Sequence, residues 1–67
     1  MGIENQVKKF RKDEDITQAE LAEKVSVSRQ TINAIETGKY DPSLELALKI
    51  AGYFDTNLEQ LFKLKQK

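Results

Sequence analysis

Apolar residues recur at intervals of three and four along most of the chain, the spacing that places them on one face of a helix. The pattern predicts five helices, the first of which carries Ile3, Val7 and Phe10 and ends in the acidic run 13–15. Apolar residues in the same spacing form the inner faces of the second, third and fifth helices: Leu21, Ala22 and Val25; Ile32 and Ile35; Leu58, Leu61 and Phe62. We therefore expect an all-α fold of five helices.

Two segments depart from this amphipathic pattern. The fourth helix, from Leu44 to Phe54, is apolar on nearly every side. It has more apolar surface than a small bundle can cover, so part of it is expected to meet another chain. Residues 62–67 alternate apolar and polar side chains, which is typical of a short strand. The expected fold is thus five helices with a short C-terminal β-strand.

Capping residues mark where the later helices begin. Thr17, followed three residues later by Glu20 and preceded by Ile16, has the pattern of a capping box with a hydrophobic staple. Cap residues of the same kind precede the third, fourth and fifth helices: Ser28, Ser43 and Asn57. Gly38 is the expected stop of the third helix. Only a short turn is therefore predicted between the second and third helices.

The length and composition of the chain exclude several classes of metal-binding and catalytic protein. The chain has 67 residues, of which 39% are hydrophobic, which fits one small domain spanning 1–67 and leaves little core to support an active-site cleft. It has no Cys and no His, so zinc fingers and cysteine or histidine nucleophiles are excluded, and we expect no metal and no cofactor. The acidic run 13–15 is a charge run and not a pair of catalytic carboxylates. We do not expect an enzyme.

The net charge and the apolar runs of the chain indicate which partners it can bind and where in the cell it acts. Eleven basic and eleven acidic residues give a formal net charge of +0, so a claim of nucleic-acid binding must depend on where the charges lie. No apolar run approaches the roughly 20 residues that span a bilayer, and the first ten residues lack a signal-peptide core. The sequence predicts a cytoplasmic protein that does not contact membranes.

The two short helices at 17–37 have the arrangement of a helix-turn-helix, in which the second helix lies in the DNA major groove. With Ile32 and Ile35 turned inward, the opposite face of that helix presents Arg29, Gln30 and Asn33. Arg pairs with guanine O6 and N7, and Gln and Asn pair with adenine N6 and N7. These three residues are the candidate base contacts, although such a polar stripe taken alone is usually a solvated helix face.

Several linked motifs resemble the phage-repressor and Cro (XRE) family of helix-turn-helix transcription regulators, over nearly the whole chain. The matching segments are 17–25, 28–33, 35–39, 42–44 and 58–62. The resemblance implies DNA-backbone contacts by the following residues: Gln18, at a helix N-terminus, and Ser28, Thr31, Lys39 and Tyr40. It also implies a structural ion pair between Arg11 and Glu36, which join the first and third helices.

Two features differ from the family pattern. Ser26 and Asp55 stand at turn positions that the family often fills with Gly, and a left-handed backbone there would cost on the order of 1 kcal/mol, less for Asp. The acidic run 13–15 precedes the second helix and would weaken binding if it lay near the DNA backbone. We therefore expect modest affinity.

The predicted function is a sequence-specific transcription regulator that represses by binding double-stranded DNA at a palindromic operator as a homodimer. The dimer is expected to form through the segment from about 54 to 67, with the following interface residues: Phe54, Leu58, Leu61, Phe62 and Leu64. No small-molecule ligand is expected. Two alternatives remain open, namely the antitoxin of a toxin–antitoxin pair and a protein-binding adaptor, which would not need Arg29, Gln30 and Asn33 to face outward together.

Overall fold

The computed structural model describes residues 2–65, which form five helices and one two-stranded antiparallel sheet. In chain order the elements are β1 (Ile3–Asn5), α1 (Val7–Asp13), α2 (Gln18–Lys24), α3 (Arg29–Glu36), α4 (Leu44–Tyr53), α5 (Leu58–Leu61) and β2 (Phe62–Leu64). The predicted five helices and the C-terminal strand are therefore confirmed, and a second strand is added at the other end. No helix in the described part of the chain is long and apolar enough to cross a membrane.

The helices begin at the residues that the capping pattern predicts. The Thr17 hydroxyl accepts the Glu20 N–H at 3.0 Å, and the Glu20 carboxylate accepts the Thr17 N–H at 2.8 Å, so both halves of the capping box form. The cap residues of α3, α4 and α5 each accept the N–H three positions on: Ser28 from Thr31, Ser43 from Leu46, and Asn57 from Gln60. Each bond satisfies a helix N–H that has no partner within the helix.

Four helices end in the same way, with one residue in the left-handed conformation just past the helix. These residues are Asp15 (φ 60°), Ser26 (φ 63°), Gly38 (φ 81°) and Asp55 (φ 54°). After each, the next residue donates its N–H to a carbonyl five positions back, as in the 3.0 Å bond from Val27 to Ala22. This is the Schellman termination, which favours glycine, and three of the four positions hold a residue with a side chain. Ser26 and Asp55, the two positions that the family often fills with Gly, are thus both left-handed in this chain.

The core lies between α2, α3, α4 and α5, with α1 covering one side. Its fully buried large side chains come from five different helices: Val7, Leu21, Ile32, Ile35, Ile50 and Leu61. Every inward position predicted for α2 and α3 is buried. Phe10, Ile16, Val27, Leu58 and Phe62 are partly buried and pack against this cluster. The angle between α2 and α3 is therefore fixed by apolar contacts on their inner faces, which leaves their polar faces exposed.

The prediction that the first helix begins at Ile3 is wrong, because residues 3–5 form β1. This strand pairs with β2 in the register Ile3–Leu64, Glu4–Lys63 and Asn5–Phe62. Asn5 then ends the strand, since its side chain accepts the Val7 N–H at 3.1 Å and donates to the Ile35 carbonyl at 2.9 Å. The partner strand lies about sixty positions away, so no local pattern could reveal the pairing. The four-residue interval between Ile3 and Val7 therefore did not reflect a helix.

The residues predicted for a dimer interface fall into two groups. Leu61 is fully buried and Phe54 is buried against Phe10, with ring centroids 5.6 Å apart, so both are covered by the protein's own core. Those two residues are removed from the predicted surface. Leu58 and Phe62 are half-buried, and Leu64 is 64% exposed. The predicted strand is confirmed over Phe62–Leu64, but its partner is β1 of the same chain; residues 66 and 67 lie outside the described residues.

The apolar excess predicted for α4 is confirmed. Leu44 and Leu48, one turn apart, are 67% and 53% exposed. The other apolar residues of the helix, Leu46, Ala47, Ile50 and Ala51, are buried. That another chain covers the exposed side stays a prediction.

Candidate nucleic-acid interface

The polar face of α3 carries the three predicted base contacts on its surface. Arg29, Gln30 and Asn33 are all exposed, because the helix turns Ile32 and Ile35 into the core on its opposite side. Helical geometry places Arg29 and Asn33 together on the flank that faces the N-terminus of α2. Gln30 points most directly away from the core. The first five residues of the helix therefore present one guanidinium, from Arg29, and two amides that can each donate and accept, from Gln30 and Asn33.

A network of hydrogen bonds connects this flank to α1 and α2. Arg11 donates through Nε to Glu36 Oε2 at 2.7 Å and through a terminal nitrogen to Glu36 Oε1 at 3.1 Å. Gln18, the first residue of α2, donates through Nε2 to Glu36 Oε1 at 3.0 Å and to Asn33 Oδ1 at 3.2 Å. The predicted ion pair between Arg11 and Glu36 is present, and it leads through Gln18 to a predicted base contact.

Both members of the ion pair are shielded from solvent. The side chains of Arg11 and Glu36 are 10% and 3% exposed. The hydrogen bond to Glu36 raises the pKa of Arg11, against the opposing effect of burial. A further bond from Arg11 to the Ile16 carbonyl, at 2.9 Å, ties the guanidinium to the loop before α2. The pair therefore links α1 to the end of α3 and to the loop before α2.

An open cleft of about 690 Å³ lies where α1, the N-terminus of α2 and α3 meet. Its basic side chains are Lys8, Arg11, Lys12 and Arg29, and its acidic ones are Asp15 and Glu36. The cleft thus has a local excess of two positive charges, although the whole chain has a formal net charge of +0. Of the acidic run 13–15, only Asp15 lines the cleft. An excess of basic over acidic side chains favours an anionic partner at this cleft.

Lys8 and Lys12 were not predicted as functional residues. They are exposed and stand one turn apart on α1, on the side that borders the cleft. In the sequence they appear only as part of the polar face of an amphipathic helix. The signal that identifies them is the packing of α1 beside α2 and α3, which depends on contacts distant in sequence.

The other residues predicted to contact the DNA backbone lie away from Gln18. The Ser28 hydroxyl caps α3 and lies 3.0 Å from the Thr31 hydroxyl, which is half-buried on the flank of α3 opposite Asn33. Tyr40, 47% exposed, borders a second hollow that Thr31 and Val27 also line. Lys39 is exposed beside it. These residues therefore lie at the other edge of α3 from Gln18, so the two groups flank the polar face of the helix.

Comparison with known proteins decides the family. A family model described as helix-turn-helix matches residues 7–61. The chain belongs to the helix-turn-helix family. This helix-turn-helix chain is 53% identical, over 60 residues, to a protein of Methanocaldococcus jannaschii named an uncharacterized HTH-type transcriptional regulator; the match covers 90% of the chain and 91% of that protein. It is 45% identical over 65 residues to the similarly named YgzD of Bacillus subtilis, and that match covers 97% of the chain and 98% of YgzD.

Two further likenesses concern a phage protein and a solved structure. The helix-turn-helix chain is 38% identical over 52 residues to the immunity repressor protein of Bacillus phage phi105. This match covers 78% of the chain and 36% of the repressor. A crystal structure described as a putative DNA-binding protein from Bacteroides fragilis superposes on this chain with a TM-score of 0.82 at 28% sequence identity. The superposition covers 91% of this chain and 98% of the other. The fold and the sequence therefore lead to the same family that the motifs resemble.

Proposed function

We propose that the chain is a sequence-specific DNA-binding transcription regulator that represses by occupying a palindromic operator as a homodimer. The observation that carries the proposal is the exposed polar face of α3, with Arg29, Gln30 and Asn33, beside a cleft with a local excess of positive charge. A helix of this diameter fits the major groove, and these side chains form paired hydrogen bonds with base edges. The relatives named as transcriptional regulators and the phage repressor support it.

In the proposed complex α3 enters the major groove and the N-terminus of α2 meets the backbone of one strand. The backbone N–H groups at the start of α2 and the amines of Lys8 and Lys12 then face phosphates across the cleft. Ser28, Thr31, Lys39 and Tyr40 meet the backbone on the other edge of α3. Contacts on both sides hold the register of the helix, while Arg29, Gln30 and Asn33 read the bases.

The proposed dimer surface is the exposed part of α5 and β2. Phe62 and Leu64 lie on one side of β2, since alternate residues of a strand share a face. Around them are Glu4, Glu59 and Lys63, which border the same hollow. Two copies related by a two-fold axis would bury the apolar pair. Two recognition helices about 34–36 Å apart then require a palindromic operator.

The remaining parts of the proposal follow from the same role. Binding and occlusion need no catalysis, so we propose that the chain is not an enzyme and acts where the DNA is, in the cytoplasm. A protein-binding adaptor is the competing function, and it requires neither the outward placement of Arg29, Gln30 and Asn33 nor the positive cleft.

The test is a titration of the purified protein with a labelled duplex from upstream of its own gene, followed by fluorescence anisotropy. A duplex of the same composition in scrambled order is the matched control. We expect binding to the upstream duplex at least 100-fold tighter than to the control at physiological salt, with protection of a two-fold symmetric site in a footprint. Equal affinity for both duplexes, or none for either, would contradict sequence-specific regulation and favour the adaptor.

A further inference from the structure

Asp15 is an acidic residue in the cleft where α1 and the start of α2 are proposed to meet the DNA backbone. It is exposed and lines the cleft together with three exposed basic residues, Lys8, Lys12 and Arg29. Arg11 and Glu36 also line the cleft, but their charges are paired with each other and shielded from solvent. The carboxylate of Asp15 is therefore the one unpaired negative charge that opposes the three basic groups.

Hydrogen bonds of the backbone hold Asp15 at the rim of this cleft. Its N–H donates to the Lys12 carbonyl at 3.0 Å, and the N–H of the next residue, Ile16, donates to the Arg11 carbonyl at 3.2 Å. The Arg11 guanidinium in turn donates to the Ile16 carbonyl at 2.9 Å. Because these bonds tie the loop to α1, the short Asp15 side chain stays near the cleft in any rotamer.

The fold uses the backbone conformation of Asp15 but not its charge. The residue is left-handed, with φ 60°, just past the end of α1, a position at which Gly and Asn are common. The ion pairs among residues 2–65 join other residues, namely Arg11 with Glu36 and Glu45 with Lys49. A neutral residue would therefore serve this turn equally well, and the carboxylate needs another explanation.

A carboxylate at this place repels the phosphates that the basic groups of the cleft attract. At physiological ionic strength such repulsion extends over a Debye length of about 8 Å, so it requires no direct contact. The helical rotation of about 100° per residue turns Asp13 and Glu14 away from the side of α1 that borders the cleft, and neither lines it. Of the acidic run 13–15, Asp15 therefore acts most strongly on a phosphate in the cleft.

We propose that Asp15 limits the affinity of the domain for the DNA backbone, as a repulsive group built into the cleft that faces the phosphates. The inference deepens the proposed function and rests on it, because it concerns the strength of the same complex. Phosphate contacts carry no sequence information, so the repulsion lowers the affinity for the operator and for other DNA alike. The base contacts of α3 then supply a larger share of the binding free energy, and the operator fills at a higher protein concentration.

The test is the substitution Asp15→Asn, which removes the charge and keeps a residue that tolerates the left-handed backbone. Binding of the full chain to the upstream duplex and to its scrambled control is measured by fluorescence anisotropy at several salt concentrations. We expect Asp15→Asn to tighten both complexes by a similar factor, roughly 5-fold at physiological salt. It should also make the negative slope of log K against log salt steeper by up to about 1. Asp15→Glu, which keeps the charge, should bind like the original protein.

Asp13→Asn and Glu14→Gln are the matched controls, because each removes one exposed carboxylate of the same run from outside the cleft. Each should tighten binding by less than about 2-fold. Chemical denaturation should show that Asp15→Asn is as stable as the original protein. A charge that the fold requires would instead make Asp15→Asn less stable, and that result would overturn the inference.

The remaining outcomes separate this inference from the proposed function. Equal gains in Asp15→Asn and the two controls would mean that the net charge of the chain, and not the position of Asp15, sets the affinity. That result, or no gain in Asp15→Asn, would overturn the inference and leave sequence-specific binding intact. If the original protein bound both duplexes equally, the proposed regulator would be wrong, and a 5-fold gain in Asp15→Asn would still support the repulsion. Binding to neither duplex by any variant would overturn both.

Discussion

Arg11 and Glu36 form a bidentate ion pair in which the guanidinium Nε lies 2.7 Å from the carboxylate, with both side chains shielded from solvent. The pair joins α1 to the end of α3 across 25 positions of the chain. It is the only charged pair among residues 2–65 in which neither side chain is exposed, since the Glu45–Lys49 pair lies on the surface of α4. This contact therefore joins α1 to the end of α3 in addition to the apolar core.

Removal of the Glu36 carboxylate should destabilise the protein strongly. Glu36→Ala leaves the Arg11 guanidinium buried without its partner, and breaking such a pair costs about 3 kcal/mol in free energy of unfolding. The measurement is chemical denaturation followed by circular dichroism. Glu23→Ala, which removes an exposed carboxylate from α2, is the control and should change stability by less than about 0.5 kcal/mol. Equal effects of the two substitutions would mean that the pair is solvated in solution.

Local patterns predicted much of this fold and only part of its site. Thr17 with Glu20, Ser28 and Gly38 were identifiable as helix boundaries because capping and left-handed termination depend on a few neighbouring residues. The strand at Ile3 was missed because its partner is near the other end of the chain. The bond from Gln18 to Asn33 could not be predicted, since it depends on the angle at which α2 and α3 pack.

Base reading by α3 predicts that substitutions on its polar face change sequence preference. Arg29→Ala and Gln30→Ala should each cost roughly 1 to 3 kcal/mol on the cognate operator and relax the preference at one base pair in each half-site. Competition binding against single-substitution operators measures both effects. Lys39→Ala is the comparison, because loss of a backbone contact should weaken binding to all duplexes alike. If Arg29→Ala kept the original affinity and preference at physiological salt, direct reading by α3 would be wrong.

The cleft predicts a phosphate contact made by α1. The double substitution Lys8→Ala and Lys12→Ala should weaken binding to specific and scrambled duplexes by similar factors. It should also make the negative slope of log K against log salt shallower by about 2. Lys24, exposed at the far end of α2 and absent from the cleft lining, supplies the control. A slope unchanged by the double substitution would place the DNA away from α1.

The left-handed residue at the turn between α2 and α3 predicts a stabilising substitution. Ser26→Gly relieves the strain of a side chain at φ 63° but raises the entropy of the unfolded chain, for a net gain of about 0.5 kcal/mol. Thermal unfolding measures the gain. Ser28→Ala, two residues on, should instead cost about 1 kcal/mol because it removes the cap of α3. A loss of stability in Ser26→Gly would show that the serine makes a compensating contact at this turn.

The proposed dimer can be tested with two leucines of nearly equal exposure on different faces. Leu64, on β2, is 64% exposed, and Leu44, on α4, is 67% exposed. If α5 and β2 form the two-fold interface, Leu64→Asp buries unpaired like charges at the contact, so sedimentation equilibrium should shift toward monomer and operator affinity should fall. Circular dichroism should keep its helical signal, since Leu64 contributes little to the core. Leu44→Asp should leave the oligomeric state unchanged. If Leu44→Asp dissociated the dimer and Leu64→Asp left it intact, the interface would instead lie on α4. If the unsubstituted protein were a monomer, the proposed dimer itself would be wrong.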